Sequence, residues 1–418
     1  MKQMKVAVLG AGARGNVYGD YLLQNPHEGT VVAAADAAPH RLASFAARHG
    51  LPDTARFTSW EALLDARPEV DAVIITTQDR MHTAPALRAL ALGYHVLLEK
   101  PISPDPTECL AIADAAERHG RVLTVCHVLR YTPYMTAVKE LLESGAIGRL
   151  LSIQWTENVG WYHMAHSFVR GNWRRTDESS PMILAKSCHD LDLLHWLAGS
   201  DCLQVSSFGG LSHFRPENAP PGAPLRCTEG CPVEPTCAYS ALKIYTGDRP
   251  SWLVNAMTAD SSAEGRLKAL REGPYGRCAF HCDNDVVDHQ VVNLAYANGV
   301  TVSFSMVGFT KEINRTAKLF GTEGEMRLNM NRNEIEINHF SGRTTVVTPE
   351  IQPGGHNGGD SALMRSFLRD VRSGGGGGSL TSARVSAQTH LLAFAAEESR
   401  LTGQTVDFLD YVKQVHAI

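Results

Sequence analysis

Lys5-Val6-Ala7-Val8-Leu9-Gly10-Ala11-Gly12-Ala13-Arg14-Gly15 opens the chain with a short apolar run, a glycine-rich turn and the start of a helix. Gly10 permits the tight turn, Gly12 lets the backbone approach a ligand closely, and Gly15 lets helix pack on strand. Free N–H groups at the helix start then face an anion, and a pyrophosphate is what such a turn holds. Downstream, Thr30-Val31-Val32-Ala33-Ala34-Ala35 reads as a second strand ending in Asp36. That acid lies near the offset of about 20 residues at which a carboxylate accepts ribose hydroxyls. It favours NAD over NADP, because a 2′-phosphate would meet a like charge. Asp36 also reads as an N-cap before Ala37-Ala38-Pro39, a role compatible with the first.

The same rhythm runs to about residue 127, with helices over 14–24, 39–49, 81–92 and 105–119 and strands over 72–75, 95–98 and 121–125. Alternating strands and helices predict a doubly wound parallel sheet with right-handed crossovers. The strand His95-Val96-Leu97-Leu98 runs directly into Glu99-Lys100-Pro101. A charged pair there falls in the crevice beyond the strand ends, beside whatever the glycine turn holds. The cofactor set read from this half is Gly10, Gly12, Ala13, Arg14, Gly15, Asp36, Thr76, Glu99 and Lys100.

After a helix over 133–144 the pattern becomes strand-like, with strands over 150–157, 290–296, 301–307, 317–321, 325–329 and 334–338 and turn signals such as Asn298-Gly299. This predicts an α+β domain with a large, mostly antiparallel open sheet. The organisation expected is a dinucleotide-binding domain over 1–127 and a substrate and oligomerisation domain over 128–418, with a Cys/Pro-rich insert at about 213–285. The glycine run 374–378 reads as a flexible loop before a helix over 382–401.

At 418 residues, 44% hydrophobic and 20% charged, the chain has ample material for two or three cores. A formal charge of −5 leaves no basic face for nucleic acid. No apolar stretch approaches the roughly 18 residues of a membrane span, and no signal peptide precedes the first strand. A cytoplasmic enzyme is expected.

These motifs, together with Cys188-His189-Asp190-Leu191-Asp192-Leu193-Leu194-His195-Trp196-Leu197, resemble the Gfo/Idh/MocA oxidoreductases, the family of glucose–fructose oxidoreductase and inositol dehydrogenase. The stretch 393–403 resembles that family's closing helix, so the likeness covers nearly the whole chain. It implies a Rossmann domain plus an open-sheet domain, substrate between nicotinamide and sheet, and homodimers or homotetramers built by packing those sheets. It also implies that Lys100 touches cofactor and substrate hydroxyls and that His189 faces the reacting carbon. Hydride transfer from a secondary alcohol needs a base at the hydroxyl and a donor for its oxygen. A histidine, or a lysine lowered by burial and a positive nicotinamide, supplies these near neutral pH. His189 and Asp192 are three apart and share a helix face, so the acid is placed to orient the ring. Without the resemblance, a helix-start histidine bonded to backbone is an equal reading. One departure stands out: many family members carry an Asp four residues before this His, whereas here Ala185 is followed by Lys186. Lys186 is open to three readings: a proton shuttle or anion ligand, a helix cap, or a partner of Asp190.

Between the strand over 150–157 and this motif lies Trp161-Tyr162-His163-Met164-Ala165-His166-Ser167-Phe168-Val169-Arg170-Gly171-Asn172-Trp173-Arg174-Arg175. It reads as too polar and too aromatic for core, and as a sugar-binding loop in which aromatic faces stack on sugar rings. The substrate set is therefore His127, Tyr131, Trp161, His163, His166, Arg170, Trp173, Arg174, Lys186 and Asp192. Arg170, Arg174, Arg175 and Lys186 around one cleft would suit an anionic group on the substrate; pairing of the arginines with Asp177 and Glu178 is the competing reading.

Five of nine cysteines fall in two short clusters, Cys227-x3-Cys231-x5-Cys237 and Cys278-x3-Cys282, flanked by prolines. In a reducing compartment such clusters suggest metal, here a structural zinc on Cys227, Cys231, Cys237 and either Cys278 or Cys282. Buried reduced thiols are the plainer alternative. Two catalytic classes stay open: a reversible dehydrogenase of a sugar, cyclitol or glycoside, and an NAD-dependent glycosidase that oxidises C3, eliminates the aglycone, adds water and re-reduces the ketone. A non-catalytic NAD-binding regulator is a third class, disfavoured by the presence of both Lys100 and His189.

Overall fold

A computed structural model of the chain describes residues 3–247, 251–375 and 378–417. Six strands form the first sheet: β1 (Met4–Leu9), β2 (Gly29–Ala35), β3 (Arg56–Phe57), β4 (Ala72–Ile75), β5 (His95–Leu98) and β6 (Leu123–Val125). Their order is β3-β2-β1-β4-β5-β6, and every pairing is parallel. Because helices cover both faces, the central strands read as unbroken apolar runs; all four residues of β4 are buried. The strand order reverses between β1 and β4, so the crevice at their carboxyl ends is where this architecture receives ligands.

The second sheet contains β7 (Leu150–Asn158), β8 (Cys202–Gly210), β9 (His289–Tyr296), β10 (Thr301–Val307), β11 (Asn314–Gly321), β12 (Gly324–Asn329), β13 (Glu334–His339), β14 (Thr344–Val347) and β15 (Val406–Asp407). Its order is β14-β13-β12-β11-β7-β10-β9-β8-β15; only β7 and β10 pair in parallel among the described strands. Burial alternates along β9 and β10, as expected when one face meets the core and the other does not. Several elements were not anticipated, β8, β14 and helix Gly359–Arg372 among them. Ser206-Ser207 and Gly209-Gly210 dilute the apolar pattern of β8, β14 is only half buried, and helix Gly359–Arg372 starts without a side-chain cap. The chain is an α/β protein with a Rossmann-type parallel sheet and a large, mostly antiparallel mixed sheet.

Helix Ala383–Thr402 is alanine-rich and buried on most sides, packed against helices Pro106–Arg118 and Cys188–Ala198 and against β8. It joins the two sheets into one apolar core that runs from Leu98 to Leu294. The glycine run expected as a loop falls partly outside the described residues. None of the described helices is long and apolar enough to cross a membrane.

Residues 211–288, between β8 and β9, form an excursion with its own small core of Tyr245, Leu253, Leu270 and Tyr275. Met164–Arg170 is a π-helical segment with all seven residues buried, Ala165 in that core and Met164, Phe168 and Val169 in the main one. This corrects the reading of the segment as an open sugar-binding loop. Its polar groups are tolerated inside because they find partners there: His166 Nδ1 lies 2.9 Å from the Tyr245 hydroxyl and its ring stacks on Tyr275.

Candidate active site

At the carboxyl end of β1, Gly10 adopts φ +98°, and a Cβ there would sit 2.7 Å from the Thr76 carbonyl oxygen at the end of β4. The Thr76 hydroxyl donates to the Gly10 carbonyl at 2.6 Å, so it braces the turn. A Cβ on Gly15 would collide with the Gly10 carbonyl, so helix Ala13–Gln24 can approach only without one. Gly12 differs: a Cβ there would meet nothing within 4 Å. Its open side faces the start of that helix, whose first turn has no side-chain cap and no acid. Uncapped N–H groups beside vacant space suit a dinucleotide's pyrophosphate. Asp36 accepts the Ala11 N–H through Oδ2 and the Ala38 N–H through Oδ1, both at 2.8 Å. It therefore ties the glycine turn to the β2 end, just ahead of helix Pro39–His49 rather than as its N-cap.

Arg14, expected near the cofactor, is engaged by protein. Its Nε donates to Glu99 at 2.5 Å and its Nη2 to Asp360 at 2.7 Å. The Tyr18 hydroxyl donates to Glu99 at 2.8 Å. Burial alone would raise the Glu99 carboxyl, but the Arg14 guanidinium outweighs it and holds the group below its usual range. The Glu99 charge thus anchors the strand end from which Lys100 projects.

Lys100 donates through Nζ to the Ala185 carbonyl at 2.8 Å. His189, second residue of helix Cys188–Ala198, is buried with Nδ1 free of any hydrogen bond among the described residues. Burial lowers its pKa well below the ordinary value, reinforced by the positive charges of Lys100 and Arg315 and by the neighbouring His127 and His356. The imidazole is therefore neutral and able to accept a proton. His127 stacks edge-on to it at 5.5 Å between ring centroids, and burial takes His127 down to about 4.

Asp192 does not orient His189. Arg130 grips its two oxygens at 2.7 Å each and the Thr389 hydroxyl donates at 3.1 Å, so its hydrogen-bonding capacity is spent elsewhere. Lys186 is the C-cap residue of helix Met182–Ala185, and its side chain feels the charge of Asp190 without pairing with it directly. It pairs with Glu157 of β7 at 3.1 Å, and Arg315 of β11 bridges Glu157 and Asp190 at 2.8 Å each. Two cations and two carboxylates so alternate in a buried, charge-balanced row beneath His189. Burial lowers the Lys186 pKa, an effect the Glu157 charge opposes.

The other expected substrate residues divide. His163 lies within electrostatic reach of Lys186 and Lys100, with its Nδ1 free of hydrogen bonds among the described residues. Trp173 donates from Nε1 toward Asp79 at 3.4 Å. The structure directs the rest elsewhere. The Tyr131 hydroxyl is held by Thr381 at 3.1 Å, and the Trp161 ring packs on Tyr162 and Tyr239. Arg170 is fully buried and donates to main-chain carbonyls of Arg277 and Tyr239. Arg174 pairs with Asp283 and Glu178, and Arg175 with Asp177. The four cations expected to crowd an anion site are each paired or buried apart. Sequence reading missed Glu157, Arg315, Asp360 and His356. Glu157 left a trace, as a carboxylate in register with buried Trp155 on an alternating strand.

All nine cysteines are free thiols. Cys227, Cys231, Cys237 and Cys278 line one cavity, which Cys282 does not. No three or more His, Cys, Asp or Glu side chains among the described residues stand close enough to hold a metal ion as placed.

The family model described as oxidoreductase family, NAD-binding Rossmann fold, matches residues 4–127, and that described as oxidoreductase family, C-terminal alpha/beta domain, matches residues 139–408. Levoglucosan dehydrogenase of Pseudarthrobacter phenanthrenivorans is 25% identical over 330 residues, 77% of this chain and 72% of that protein. Inositol 2-dehydrogenase of Streptomyces avermitilis is 35% identical over 202 residues, 48% of this chain and 55% of that protein. Among solved structures, levoglucosan dehydrogenase in complex with NADH and levoglucosan superposes with a TM-score of 0.73 at 21% identity, over 97% of this chain and all of that one.

Proposed function

Because the chain belongs to the Gfo/Idh/MocA oxidoreductase family, we propose that it transfers a hydride between NAD and a secondary hydroxyl of an uncharged sugar or cyclitol. The observation that carries this reading is that Lys100 bonds to the Ala185 carbonyl, four residues before His189, and lies close enough for its charge to act on that buried imidazole. NAD, when bound, supplies the hydride acceptor. The Gly12 side of the turn and the uncapped helix start would hold its pyrophosphate, and Asp36 its ribose. Lys100 donates a hydrogen bond to the substrate oxygen, and His189 takes the hydroxyl proton as the C–H bond breaks. Reversal of the same transfers reduces the ketone.

An uncharged substrate fits because the cations near the cleft already have partners, as Lys186 has in Glu157. The names of the levoglucosan and inositol dehydrogenases support a sugar or cyclitol. Residues 1–127 then serve the cofactor and residues 128–418 the substrate. Homodimers or homotetramers through the outer face of the large sheet complete the reading, supported by Phe208, 60% exposed on β8. A cytoplasmic setting accords with nine free thiols.

The test is incubation with NAD and a panel of sugars, cyclitols and nitrophenyl glycosides. NADH formed in step with ketone supports the proposal. Aglycone release without net NADH would assign redox-neutral glycoside hydrolysis instead.

A further inference from the structure

Between β8 and β9 the chain brings together two stretches some 40 residues apart. The Cys227 N–H donates to the Gly276 carbonyl at 3.0 Å, and the Cys278 N–H to the Leu225 carbonyl at 2.8 Å. This short antiparallel bridge, centred on Arg226 and Arg277, sets Cys227 and Cys278 diagonally across it, one row to either side of the central pair. Turns at Cys231 and Val233, closed by Glu234 and Cys237 N–H groups, bring in the remaining two thiols. All four line one cavity of about 10 Å³, together with Val233, Ala279 and Phe280. A space that size has room for one water, yet the apolar walls offer a water too few partners.

A second observation comes from Arg170. Its side chain is fully buried, it forms no ion pair with a carboxylate among the described residues, and its Nη1 has no partner. Its Nη2 lies 4.0 Å from Cys227 Sγ. A buried guanidinium beside a neutral thiol lacks a counter-ion, which is costly.

We propose that Cys227, Cys231, Cys237 and Cys278 are the ligands of a tetrathiolate metal centre, with Arg170 as its counter-ion. Binding releases the four thiol protons and leaves a dianion, whether the occupant is zinc or a four-iron, four-sulfide cubane in its oxidised form. That dianion supplies the negative charge Arg170 lacks. Thiolates around a single zinc ion lie about 2.3 Å from it, which leaves no void between them. Closing that one-water space around a zinc ion would move the thiols less than admitting a four-iron cubane. Cys282 is no ligand, for its Sγ turns back toward the Cys278 carbonyl, 3.3 Å away. The centre rivets the excursion that backs the segment Met164–Arg170.

The test is elemental analysis and acid-labile sulfide determination on the full-length protein purified without air. About four irons with matching sulfide and a dithionite-bleached visible absorption, or about one zinc per chain, each supports the centre and identifies its occupant. Protein free of both metals, or carrying them in amounts that Cys231→Ser and Cys278→Ser leave unchanged, overturns it. Cys282→Ser should keep the metal, whereas the two ligand variants should lose at least about four-fifths of it. Should those variants fail to fold, the wild-type stoichiometry still decides. None of these readouts depends on dehydrogenase activity.

Discussion

Lys100 leaves the end of β5 and reaches across to the main chain of Ala185, its Nζ 2.8 Å from that carbonyl oxygen. Ala185 is one turn ahead of His189, where many members of the family carry an aspartate. Here the lysine side chain meets a carbonyl dipole instead of a charge, and the Glu157 carboxylate is already shared by Lys186 and Arg315. In the proposed mechanism proton exchange then falls to Lys100 and His189.

Replacing either should be severe. Lys100→Ala and His189→Ala are each expected to lower kcat by about 100-fold or more, the usual scale for a positioned acid or base. NAD affinity, measured by fluorescence titration, should survive the histidine change. Near-wild-type kcat in His189→Ala on the true substrate would remove it from the mechanism.

The pH profile follows from what surrounds that histidine. Burial first, and then the Lys100 charge, lower its pKa, so the base form persists into acid. The acid limb of kcat/KM should lie below the ordinary histidine value of about 6.5. Removing a nearby cation raises a histidine pKa, so Lys100→Met should move the limb of its residual activity toward neutrality. A limb that stays fixed would show that another group titrates.

Asp36, proposed to meet the cofactor ribose, accepts the Ala11 N–H. Wild-type enzyme should bind NAD more tightly than NADP, and Asp36→Asn should narrow the gap while still bracing the turn. Asp36→Ala should narrow it too but weaken both cofactors, because the turn loses its brace. Calorimetric titration of the three proteins separates these effects, and a wild-type preference for NADP would refute the assignment.

Glu157 balances two buried cations. Glu157→Gln should destabilise the fold by about 3–5 kcal/mol, the range for breaking one side of a buried ion pair. Adding Lys186→Met should recover part of that loss by removing one of the stranded charges. Urea melts of the single and double variants measure it, and equal stability of Glu157→Gln and wild type would mean that the row is solvated.

Stability should fall on mild acidification. Burial holds His127 near 4 and His166 and His390 near 3 in the folded chain. Below about 6.5 the unfolded chain takes up protons that the folded chain refuses, so stability falls as pH drops from there toward those values. Thermal midpoints at pH 7.5 and 5.5 should show the decline, and His390→Gln should make it shallower.

The parallel sheet was legible because several of its strands are apolar runs ended by a glycine or a charge, as Val6 to Gly10 and Val96 to Glu99 show. Lys100 and His189 were legible as residue types at strand and helix ends. The environment of His189 was not. Asp360 lies 346 residues from Arg14, so no local spacing announces their pairing. The segment 161–175 misled for a related reason. Aromatic and basic side chains signal a ligand surface when exposed, but here a neighbouring excursion offers Tyr245, Tyr275 and main-chain carbonyls that satisfy His166 and Arg170 indoors.

Helix Gly359–Arg372 closes the apolar face made by Tyr18, Tyr21 and Leu22, burying Leu363, Met364, Phe367 and Leu368 against it. Everything else in that face is synthesised within the first third of the chain. At a translation rate of about 5–20 residues per second, the nascent sheet waits on the order of ten seconds or longer for its last wall. Throughout that interval the half that is finished first carries an uncovered greasy flank and an Arg14 still short of one carboxylate. Ribosome-bound chains of this protein are thus natural clients for chaperones.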